Sequence, residues 1–372
     1  MDAFFAAVEE REDPSLKGKA LLIGHDGPRG VVATASYAAR VFGCHSAQPM
    51  AVARRLCPHA VVLPVRMDLY RMASDHVFSV LGAFSPSIEP LSIDEAFVDL
   101  TGTQRLHGDP VEVATRIKAR IRSELALTAS VGLAPNKFLA KLASDMDKPD
   151  GLTVIRPDDV DRVLPALPVT RIWGVGKVTA ERMRTYGITT IADLRRKDEA
   201  WLRKFFGSEA DHYYRLARGL DDRPVVGDQD AKSIGHEQTF EVNVADAAEV
   251  KRVMFDQAEQ VGARLRRHGV LARGVSLKIR FGDFQTINRS TTLPRPTDVS
   301  AELWDAAEAL FNQWTFQPVR LIGVTAERLT QGPAQLDLFA DPERERQQKL
   351  DAVADRINQR FGKRSIRRGG PG

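Results

Sequence analysis

Short apolar runs alternate with amphipathic stretches over residues 20–100. The runs ALLIG, GVVATAS and AVVLPV have the length of strands, and the segments between them have the spacing of helices. This alternation predicts an α/β or α+β fold for the first part of the chain.

A clear helix start follows at Asp109, because Asp caps helices and Pro110 fits the first turn. The predicted buried face consists of four apolar residues at four-residue spacing: Val113, Ile117, Ile121 and Leu125. Beyond this helix, LTASVGLA has the pattern of a strand, NKFLAKLASDM that of an amphipathic helix, and KPDG that of a turn.

The second half of the chain divides into distinct regions. Residues 155–225 hold short helical stretches punctuated by Gly and Pro, which predicts a small helical domain. The polar stretch RPVVGDQDAKS (223–233) is typical of a linker. Residues 233–328 follow the order strand, helix, strand, strand, helix, strand, which predicts a ferredoxin-like split βαβ domain. Beyond Gln331 the tail holds one apolar cluster, QLDLF, and a short amphipathic helix.

Composition narrows the class of protein. A length of 372 residues predicts two to four domains, and 43% apolar residues are enough to form their cores. The sequence has no apolar run of transmembrane length, its start is too acidic for a signal peptide, and it holds only Cys44 and Cys57. These features predict a cytoplasmic protein with no membrane partner. We expect two buried thiols rather than a metal site with His59, because no second Cys/His pair would complete it.

The positive charge is concentrated in two places. The net charge is +4, yet residues 343–372 hold nine Lys/Arg against four Asp/Glu, and residues 264–295 hold eight basic residues and one acid. A basic stripe on a near-neutral body indicates a nucleic-acid footprint, although a solvated charged face would give the same composition.

The strongest chemical signal is the segment SIEPLSIDEAFVDL (87–100), in which Asp94 and Glu95 stand between apolar residues. On a regular strand adjacent side chains point to opposite faces, so one acid would enter the core. A hairpin turn would instead let both carboxylates converge, and two charges within apolar walls require a metal or another cation. All-oxygen ligands favour Mg²⁺ or Mn²⁺. The alternative is a hairpin tip whose acids face water.

Five separated motifs resemble those of the Y-family translesion DNA polymerases, in particular the bacterial DNA polymerase IV type. They are DAFFAAVEE, TASYAARVFG, LSIDEAFVDL, SVGLAPNKFLAKLASDMDKPDG and IWGVGKVTAERM. The resemblance covers residues 1–328 and implies an α+β, multidomain right-hand polymerase. It assigns residues 1–154 to the palm and fingers (fingers about 12–68), 155–224 to an all-α thumb with a helix-hairpin-helix, and 225–232 to the linker. A ferredoxin-like βαββαβ little finger would span 233–330, and the tail, 331–372, would carry a clamp-binding motif.

The resemblance also implies the active site. Asp94 and Glu95 would be catalytic metal ligands, together with the backbone carbonyl of Met1. They would hold two Mg²⁺ ions, or Mn²⁺, that activate the primer 3′-hydroxyl and stabilise the departing pyrophosphate. Phe5 would be the steric gate against a ribose 2′-hydroxyl. The implied nucleotide-binding residues are Phe4, Phe5, Tyr37, Arg40 and Lys148.

The first motif departs from the family pattern. In the family it ends a strand with Asp-X-Asp, whereas here Met1 stands at X and Asp2 at the second Asp, so the bridging Asp and its strand are absent from the sequence. Asp2 is not expected to replace that Asp, because two residues along a strand separate side chains on one face by about 6–7 Å. We expect that the sequence starts at an internal methionine of the motif, through a misassigned start codon or a truncation.

Two further segments are predicted to hold DNA. RIWGVGKVTAERM resembles a helix-hairpin-helix, in which Gly174 and Gly176 allow a tight turn facing a phosphate and Lys177 adds charge. An ordinary interhelical turn is the alternative. RGVSLKIRF alternates apolar and polar residues, which predicts a basic sheet face for contact with the DNA backbone. The basic residues assigned to that face are Arg273, Lys278, Arg280 and Arg289.

The tail motif QLDLF resembles the peptide by which bacterial polymerases dock on the sliding clamp. Gln335 would donate or accept a hydrogen bond, while Leu336, Leu338 and Phe339 would fill an apolar pocket. Packing of the motif back onto the polymerase body is the alternative.

The predicted function is low-processivity, DNA-templated DNA synthesis past damaged bases, without proofreading, by a monomer that binds primer-template DNA, dNTP and the clamp. The rival is a non-catalytic, clamp-tethered DNA-binding relative, which the absent first Asp favours and the retained Asp94–Glu95 pair disfavours. A helix-hairpin-helix repair nuclease would not explain TASYAARVFG or LSIDEAFVDL.

Overall fold

The structure is a computed structural model that describes residues 1–227, 230–331, 341–362 and 365–369. The chain forms two compact units, one of residues 1–26 with 30–229 and the other of residues 27–29 with 230–372. In the described ranges no helix combines the length and the apolar character that crossing a membrane requires.

The first unit begins with a mixed α and β part. Its elements are α1 (Phe4–Glu12), β1 (Leu21–Gly24), β2 (Val32–Ala35), α2 (Tyr37–Arg40), α3 (Met50–Leu56), β3 (Val61–Leu63), α4 (Met67–Gly82), β4 (Ile88–Pro90), β5 (Ala96–Val98), α5 (Gln104–His107), α6 (Pro110–Leu125), β6 (Val131–Leu133), α7 (Lys137–Met146) and β7 (Leu152–Val154). β1 pairs with β2 antiparallel and with β3 parallel. β4 pairs with β5 antiparallel, and β6 pairs with β7 parallel.

The local signals for α6 are confirmed. The side chain of Asp109 accepts a hydrogen bond from the amide of Val111 at 2.8 Å, and Pro110 is the first helical residue. The four predicted stripe residues of α6 are all buried. The strand predicted in LTASVGLA is shorter than its pattern, because its partner β7 offers only three residues for pairing.

Two hydrophobic cores hold this part together. One packs α1, α4 and α6 around β1 and contains the fully buried Tyr70. The other packs β1 and β2 against α2 and α3. Cys44 and Cys57 lie in the second core as free, buried thiols, which confirms their predicted role.

The rest of the first unit is helical, as predicted. Its α-helices are α8 (Val160–Val163), α9 (Lys177–Thr185), α10 (Ile191–Arg195), α11 (Glu199–Phe206) and α12 (Ala210–Ala217). Short 3₁₀ turns lie at Pro14–Leu16, Pro157–Asp159, Val169–Arg171 and Gly207–Glu209. The core of the helical part continues into α7, since Phe138, Leu139 and Leu142 pack within it.

The second unit is a four-stranded sheet with helices. Its elements are β8 (Ser233–Val244), α13 (Ala247–His268), β9 (Val270–Phe281), β10 (Thr286–Thr297), α14 (Ser300–Phe311), β11 (Val319–Gln331) and α15 (Pro342–Phe361). The strand order is β10-β9-β11-β8 with antiparallel pairing throughout. Each βαβ connection joins two strands that have another strand between them, so the predicted split βαβ arrangement is confirmed.

The tail helix α15 is longer than the short helix predicted, and its docked face is charged. Asp351 is buried, accepts a hydrogen bond from the amide of Ser300 at 3.0 Å, and pairs with Arg266 and Arg368. Apolar residues of α15 such as Leu350 and Phe361 are exposed instead. The helix is therefore held by ion pairs rather than by the apolar face that its pattern suggested.

Candidate active site

Asp94 and Glu95 lie in the turn between β4 and β5, as the hairpin interpretation predicts. The amide of Leu91 donates to the carbonyl of Glu95 at 2.8 Å, which closes the turn. The side chains of Asp94 and Glu95 are 27% and 34% exposed, and both line one cleft. The two neighbouring acids therefore converge on one region instead of pointing to opposite faces of a strand.

The surroundings of Asp94 fix its position. The Met1 amino group donates a hydrogen bond to the backbone carbonyl of Asp94 at 2.8 Å, and the Ser92 hydroxyl donates to its carboxylate at 2.9 Å. Met1 thus lies beside Asp94. The prediction was that the Met1 carbonyl and the Asp94 carboxylate bind the same metal.

Glu95 is the first of four alternating charges, of which Lys141 and Asp145 lie on α7 and Lys148 follows that helix. The Lys141 ammonium lies 2.6 Å from Glu95 and 3.5 Å from Asp145, and the Lys148 ammonium lies 2.6 Å from Asp145. Burial opposes ionisation of Asp145, but the hydrogen bond from Lys148 and the charge of Lys141 outweigh it and hold the pKa of Asp145 below its usual value. Lys141 and Lys148 therefore neutralise part of the negative charge of Glu95 and Asp145.

Sequence reasoning missed Lys141 and Asp145. Their only signal was the four-residue spacing of a basic and an acidic residue on one predicted helix face, which is common on solvated helices. Their contact with Glu95 depends on how α7 packs beside the β4–β5 hairpin.

Asp2 does not reach the acid pair. Its carboxylate is 3% exposed and accepts hydrogen bonds from the Ser130 hydroxyl at 2.7 Å and the Asp150 amide at 2.9 Å. Both oxygens are therefore engaged in joining the residues before α1 to the β6–β7 region.

Tyr37 and Arg40 lie together on the short helix α2. The guanidinium of Arg40 lies 4.6 Å from the centroid of the Tyr37 ring. Within the described residues the buried Tyr37 hydroxyl has no hydrogen-bond partner. Burial, and then the negative charge of Asp2, raise the pKa of Tyr37, so this hydroxyl remains a proton donor. A buried donor without a partner is suited to an incoming acceptor such as a phosphate oxygen.

The two aromatic residues of α1 differ in exposure. Phe4 is buried in the core, so its ring is not available to a nucleotide. Phe5 is half-buried, and its ring stacks on Tyr70 with centroids 4.2 Å apart and planes inclined by 11°. Only Phe5 therefore has the exposure that a steric gate requires.

A cleft of about 170 Å³ lies beside the acids. It is lined by β5 and β6, by apolar side chains of α4 and α6, and by Met1 and Lys141. β5 and β6 belong to separate two-stranded sheets and are not paired with each other. Within the part of the chain that the structure describes, each strand thus presents an unpaired edge to the apolar cleft.

The predicted helix-hairpin-helix turn has the geometry that glycine permits. Gly174 has a φ of +93°, and Gly176 precedes α9, which begins at Lys177. A ring nitrogen of His212 on α12 lies 2.9 Å from the carbonyl oxygen of Trp173. His212, which sequence reasoning did not single out, supports the turn from the neighbouring helix.

The basic sheet face of the second unit is only partly as predicted. Val275, Leu277, Ile279 and Phe281 are buried, so the alternation in β9 is confirmed, with Lys278 and Arg280 on the opposite face. Arg289 is opposite Leu277, and directly paired residues share a face, so Arg289 does not lie with Lys278 and Arg280.

The remaining predicted residues of this face differ in their surroundings. Arg273 is exposed. Lys278 lies 2.8 Å from Glu237, so its charge is partly neutralised. The clamp-binding residues Gln335, Leu336, Leu338 and Phe339 lie outside the described residues.

The acid pair offers two carboxylates to a divalent metal. In the described ranges no group of three or more His, Cys, Asp or Glu side chains could hold a metal ion by itself. Mg²⁺, however, is usually bound by one or two carboxylates with substrate phosphates and water. Two carboxylates that line one cleft with Lys141 and Lys148 fit an ion that arrives with a nucleotide.

Three parts of the chain match known protein families. Residues 1–145 match the impB/mucB/samB family, residues 231–338 match the C-terminal domain of that family, and residues 157–188 match its helix-hairpin-helix motif. This chain belongs to the impB/mucB/samB family of Y-family DNA polymerases. The predicted family and the predicted fold class are confirmed.

Relatives and solved structures agree with this membership. A DNA polymerase IV of Desulfatibacillum aliphaticivorans is 42% identical over 98% of this chain and 94% of its own length. A DNA polymerase IV of Alkalilimnicola ehrlichii is 45% identical over 88% and 93%. The structure of a chimeric Y-family DNA polymerase matches with a TM-score of 0.80 and 29% identity, covering 89% of this chain and 98% of the chimera.

Proposed function

We propose that this Y-family chain is a DNA-templated DNA polymerase that extends primers past damaged bases at low processivity. The convergence of Asp94 and Glu95 in one turn beside Lys141 and Lys148 carries the proposal. The names and the full-length similarity of its relatives support the same reaction. A non-catalytic relative would have no need to keep two charges on the wall of an apolar cleft.

Each part of the site has a proposed role. Asp94 and Glu95, with the carbonyl of Met1, hold divalent metal, Mg²⁺ or Mn²⁺, which when bound supplies Lewis-acid stabilisation of phosphoryl transfer. Tyr37 donates its partnerless hydroxyl to a triphosphate oxygen, and Arg40 and Lys148 provide charge-assisted hydrogen bonds. Lys148 must leave Asp145 to do so.

Other residues position the substrates. The Phe5 ring excludes a ribose 2′-hydroxyl from the nucleotide site. The backbone next to Phe4 forms the adjoining part of that site. The turn at Gly174 and Gly176, with Lys177, binds a DNA phosphate, and Arg273, Lys278, Arg280 and Arg289 contact the DNA backbone from more than one face of the second unit. The tail motif of Gln335, Leu336, Leu338 and Phe339 binds a sliding clamp, and the polymerase acts as a monomer.

Substitution of the acids tests the active site. Asp94→Asn and Glu95→Gln should each lower single-nucleotide incorporation on a primer-template by at least about a hundredfold, because each removes a charge that stabilises the transition state. Asp99→Asn, at the end of the same hairpin, is the matched control. A second measurement, binding of dNTP to the protein on a dideoxy-terminated primer-template with Mg²⁺, should weaken in the same two variants.

The outcomes separate the candidate functions. DNA binding with neither dNTP binding nor incorporation by the wild-type chain would favour a non-catalytic DNA-binding role. Equal incorporation by wild type, Asp94→Asn and Glu95→Gln would show that the acid pair is not the metal site.

A further inference from the structure

The Phe5 ring rests on one side chain of a neighbouring helix. Its ring stacks almost parallel on that of Tyr70, with centroids 4.2 Å apart. Tyr70 is fully buried, whereas Phe5 is half-buried. The ring that faces the nucleotide is therefore backed by a ring that is not exposed to solvent.

Tyr70 is in turn held by a buried acid. Its hydroxyl donates a hydrogen bond to Glu9 at 2.5 Å, and the Arg66 Nε donates to the same carboxylate oxygen at 2.9 Å. A terminal nitrogen of Arg66 pairs with the second oxygen of Glu9. The Glu9 side chain is 2% exposed, so its charge depends on these two partners.

The spacing of these residues explains why they meet. Phe5 and Glu9 are four residues apart on α1, and Tyr70 is four residues beyond Arg66, which caps the start of α4. Residues at this spacing lie on one face of a helix, one above the other. The two pairs face each other, so ring stacks on ring and carboxylate meets hydroxyl and guanidinium.

The contact between Tyr70 and Glu9 is a charge-assisted hydrogen bond. Burial, and then the hydrogen bond to the Glu9 carboxylate, raise the pKa of Tyr70 well above its usual value, so the hydroxyl stays protonated and donates. A hydrogen bond to a charged acceptor is stronger and more directional than a neutral one. A buried tyrosine held in this way cannot slide along α1.

We propose that Glu9 and Arg66 are positioning residues for sugar discrimination, acting through Tyr70 on the ring of Phe5. The inference rests on the proposed role of Phe5 as the steric gate. Discrimination against a single hydroxyl requires that the Phe5 ring keeps its position, because a shift of the ring by a fraction of an ångström admits the additional oxygen atom. Glu9 and Arg66 hold Tyr70, and Tyr70 supports the buried side of the Phe5 ring.

Nucleotide binding without chemistry provides the test. The full chain is bound to a dideoxy-terminated primer-template with Mg²⁺, and the Kd is measured for the matching ribonucleoside and 2′-deoxyribonucleoside triphosphates. The ratio of interest is the Kd of the ribonucleotide divided by the Kd of the deoxyribonucleotide. Glu9→Gln and Tyr70→Phe should each reduce this ratio by about fivefold, with tighter ribonucleotide binding as the main change. Because both variants act on the same hydrogen bond between Tyr70 and Glu9, the double variant should fall no further than the larger single effect.

Controls separate positioning from simple loss of stability. Glu10→Gln places the same substitution on the next residue of α1 and should leave the ratio unchanged. Phe5→Val should reduce the ratio more than any other variant. A purely structural role of the network would lower the melting temperature of Glu9→Gln and weaken both nucleotides equally, without changing the ratio.

The failures are distinguishable. An unchanged ratio in Glu9→Gln and Tyr70→Phe, with a lower ratio in Phe5→Val, overturns this inference and leaves the proposed function intact. An unchanged ratio in Phe5→Val overturns both the steric-gate role and the inference that depends on it.

Discussion

Replacement of Lys137 by methionine would remove the cation from a pair that is almost fully buried. The side chains of Lys137 and Glu89 are 9% and 7% exposed, and the ammonium lies 2.7 and 2.6 Å from the two carboxylate oxygens. It also donates to the carbonyl of Pro224 at 3.1 Å, and the amide of Val226 donates to Glu89 at 2.9 Å. The pair thus joins β4 of the acid-bearing hairpin, α7 and the stretch 224–226.

The loss of stability in Lys137→Met depends on the charge that it leaves buried. In Lys137→Met the Glu89 carboxylate stays buried, with the Val226 amide as its remaining described donor. Breaking a buried pair in this way costs about 3–5 kcal/mol, because the remaining carboxylate loses the cation that is hydrogen-bonded to it. In the double variant Glu89→Gln/Lys137→Met no charge is left, so part of the loss should be recovered.

Lys141→Met is the matched control. It places the same substitution four residues along the same helix, but the side chains of Lys141 and Glu95 are 29% and 34% exposed. A pair with that exposure contributes at most about 1 kcal/mol.

The pH dependence provides an independent signature. Burial alone would raise the pKa of Glu89, but the hydrogen bonds from Lys137 and Val226 outweigh it and hold the pKa below its usual value. A lowered folded-state pKa stabilises the fold above the ordinary pKa, and this stabilisation is lost as the pH falls through the folded pKa. Without Lys137, burial raises the pKa of Glu89, and protonation at lower pH removes the buried charge. The deficit of Lys137→Met should therefore be largest near neutral pH and shrink toward about pH 4.

Two measurements check this prediction. Urea unfolding followed by circular dichroism gives the free energy of unfolding at each pH, and hydrogen exchange of the peptide covering residues 221–227 reports whether Val226 loses protection. Equally small losses in Lys137→Met and Lys141→Met, or a deficit that does not change with pH, would refute the assignment of a buried, mutually dependent pair.

Three further predictions follow from packing and from the tail. In Gly132→Ala the new Cβ would lie 2.1 Å from the carbonyl oxygen of Ala140, so α7 must shift away from β6, and we expect a loss of at least about 2 kcal/mol in thermal unfolding. Gly82→Ala, where nothing lies within 4 Å, is the control and should be neutral or stabilising. A four-residue extension of alternating apolar residues before Met1 should fill the 170 Å³ cleft between the edges of β5 and β6 and stabilise the first unit by up to about 4 kcal/mol. A Gly-Ser extension of equal length should not, and equal melting temperatures for the two would contradict this use of the cleft. Alanine at Leu338 and Phe339 should abolish binding to a sliding clamp in surface plasmon resonance and spare distributive primer extension; retained clamp binding would contradict the proposed role of the tail.

The sequence alone predicted the features that depend on residues close together in the chain. Asp109, Pro110 and the four-residue stripe fixed α6, and strict alternation assigned the buried face of β9. The apolar frame around Asp94 and Glu95 placed both acids in a turn, because a regular strand would have buried one charge. Local geometry of this kind follows from the backbone period, so it can be read from the order of residues.

Tertiary structure decided which distant residues complete the site. Lys141 meets Glu95, and Lys137 meets Glu89, across 46 and 48 residues of chain, and Tyr70 meets Glu9 across 61. The strand register places Arg289 on the sheet face opposite to Lys278. The sequence pattern had assigned both residues to one face. These contacts depend on how helices and strands pack, and a charge or a ring that looks ordinary in sequence acquires its role only from the partner that packing brings to it.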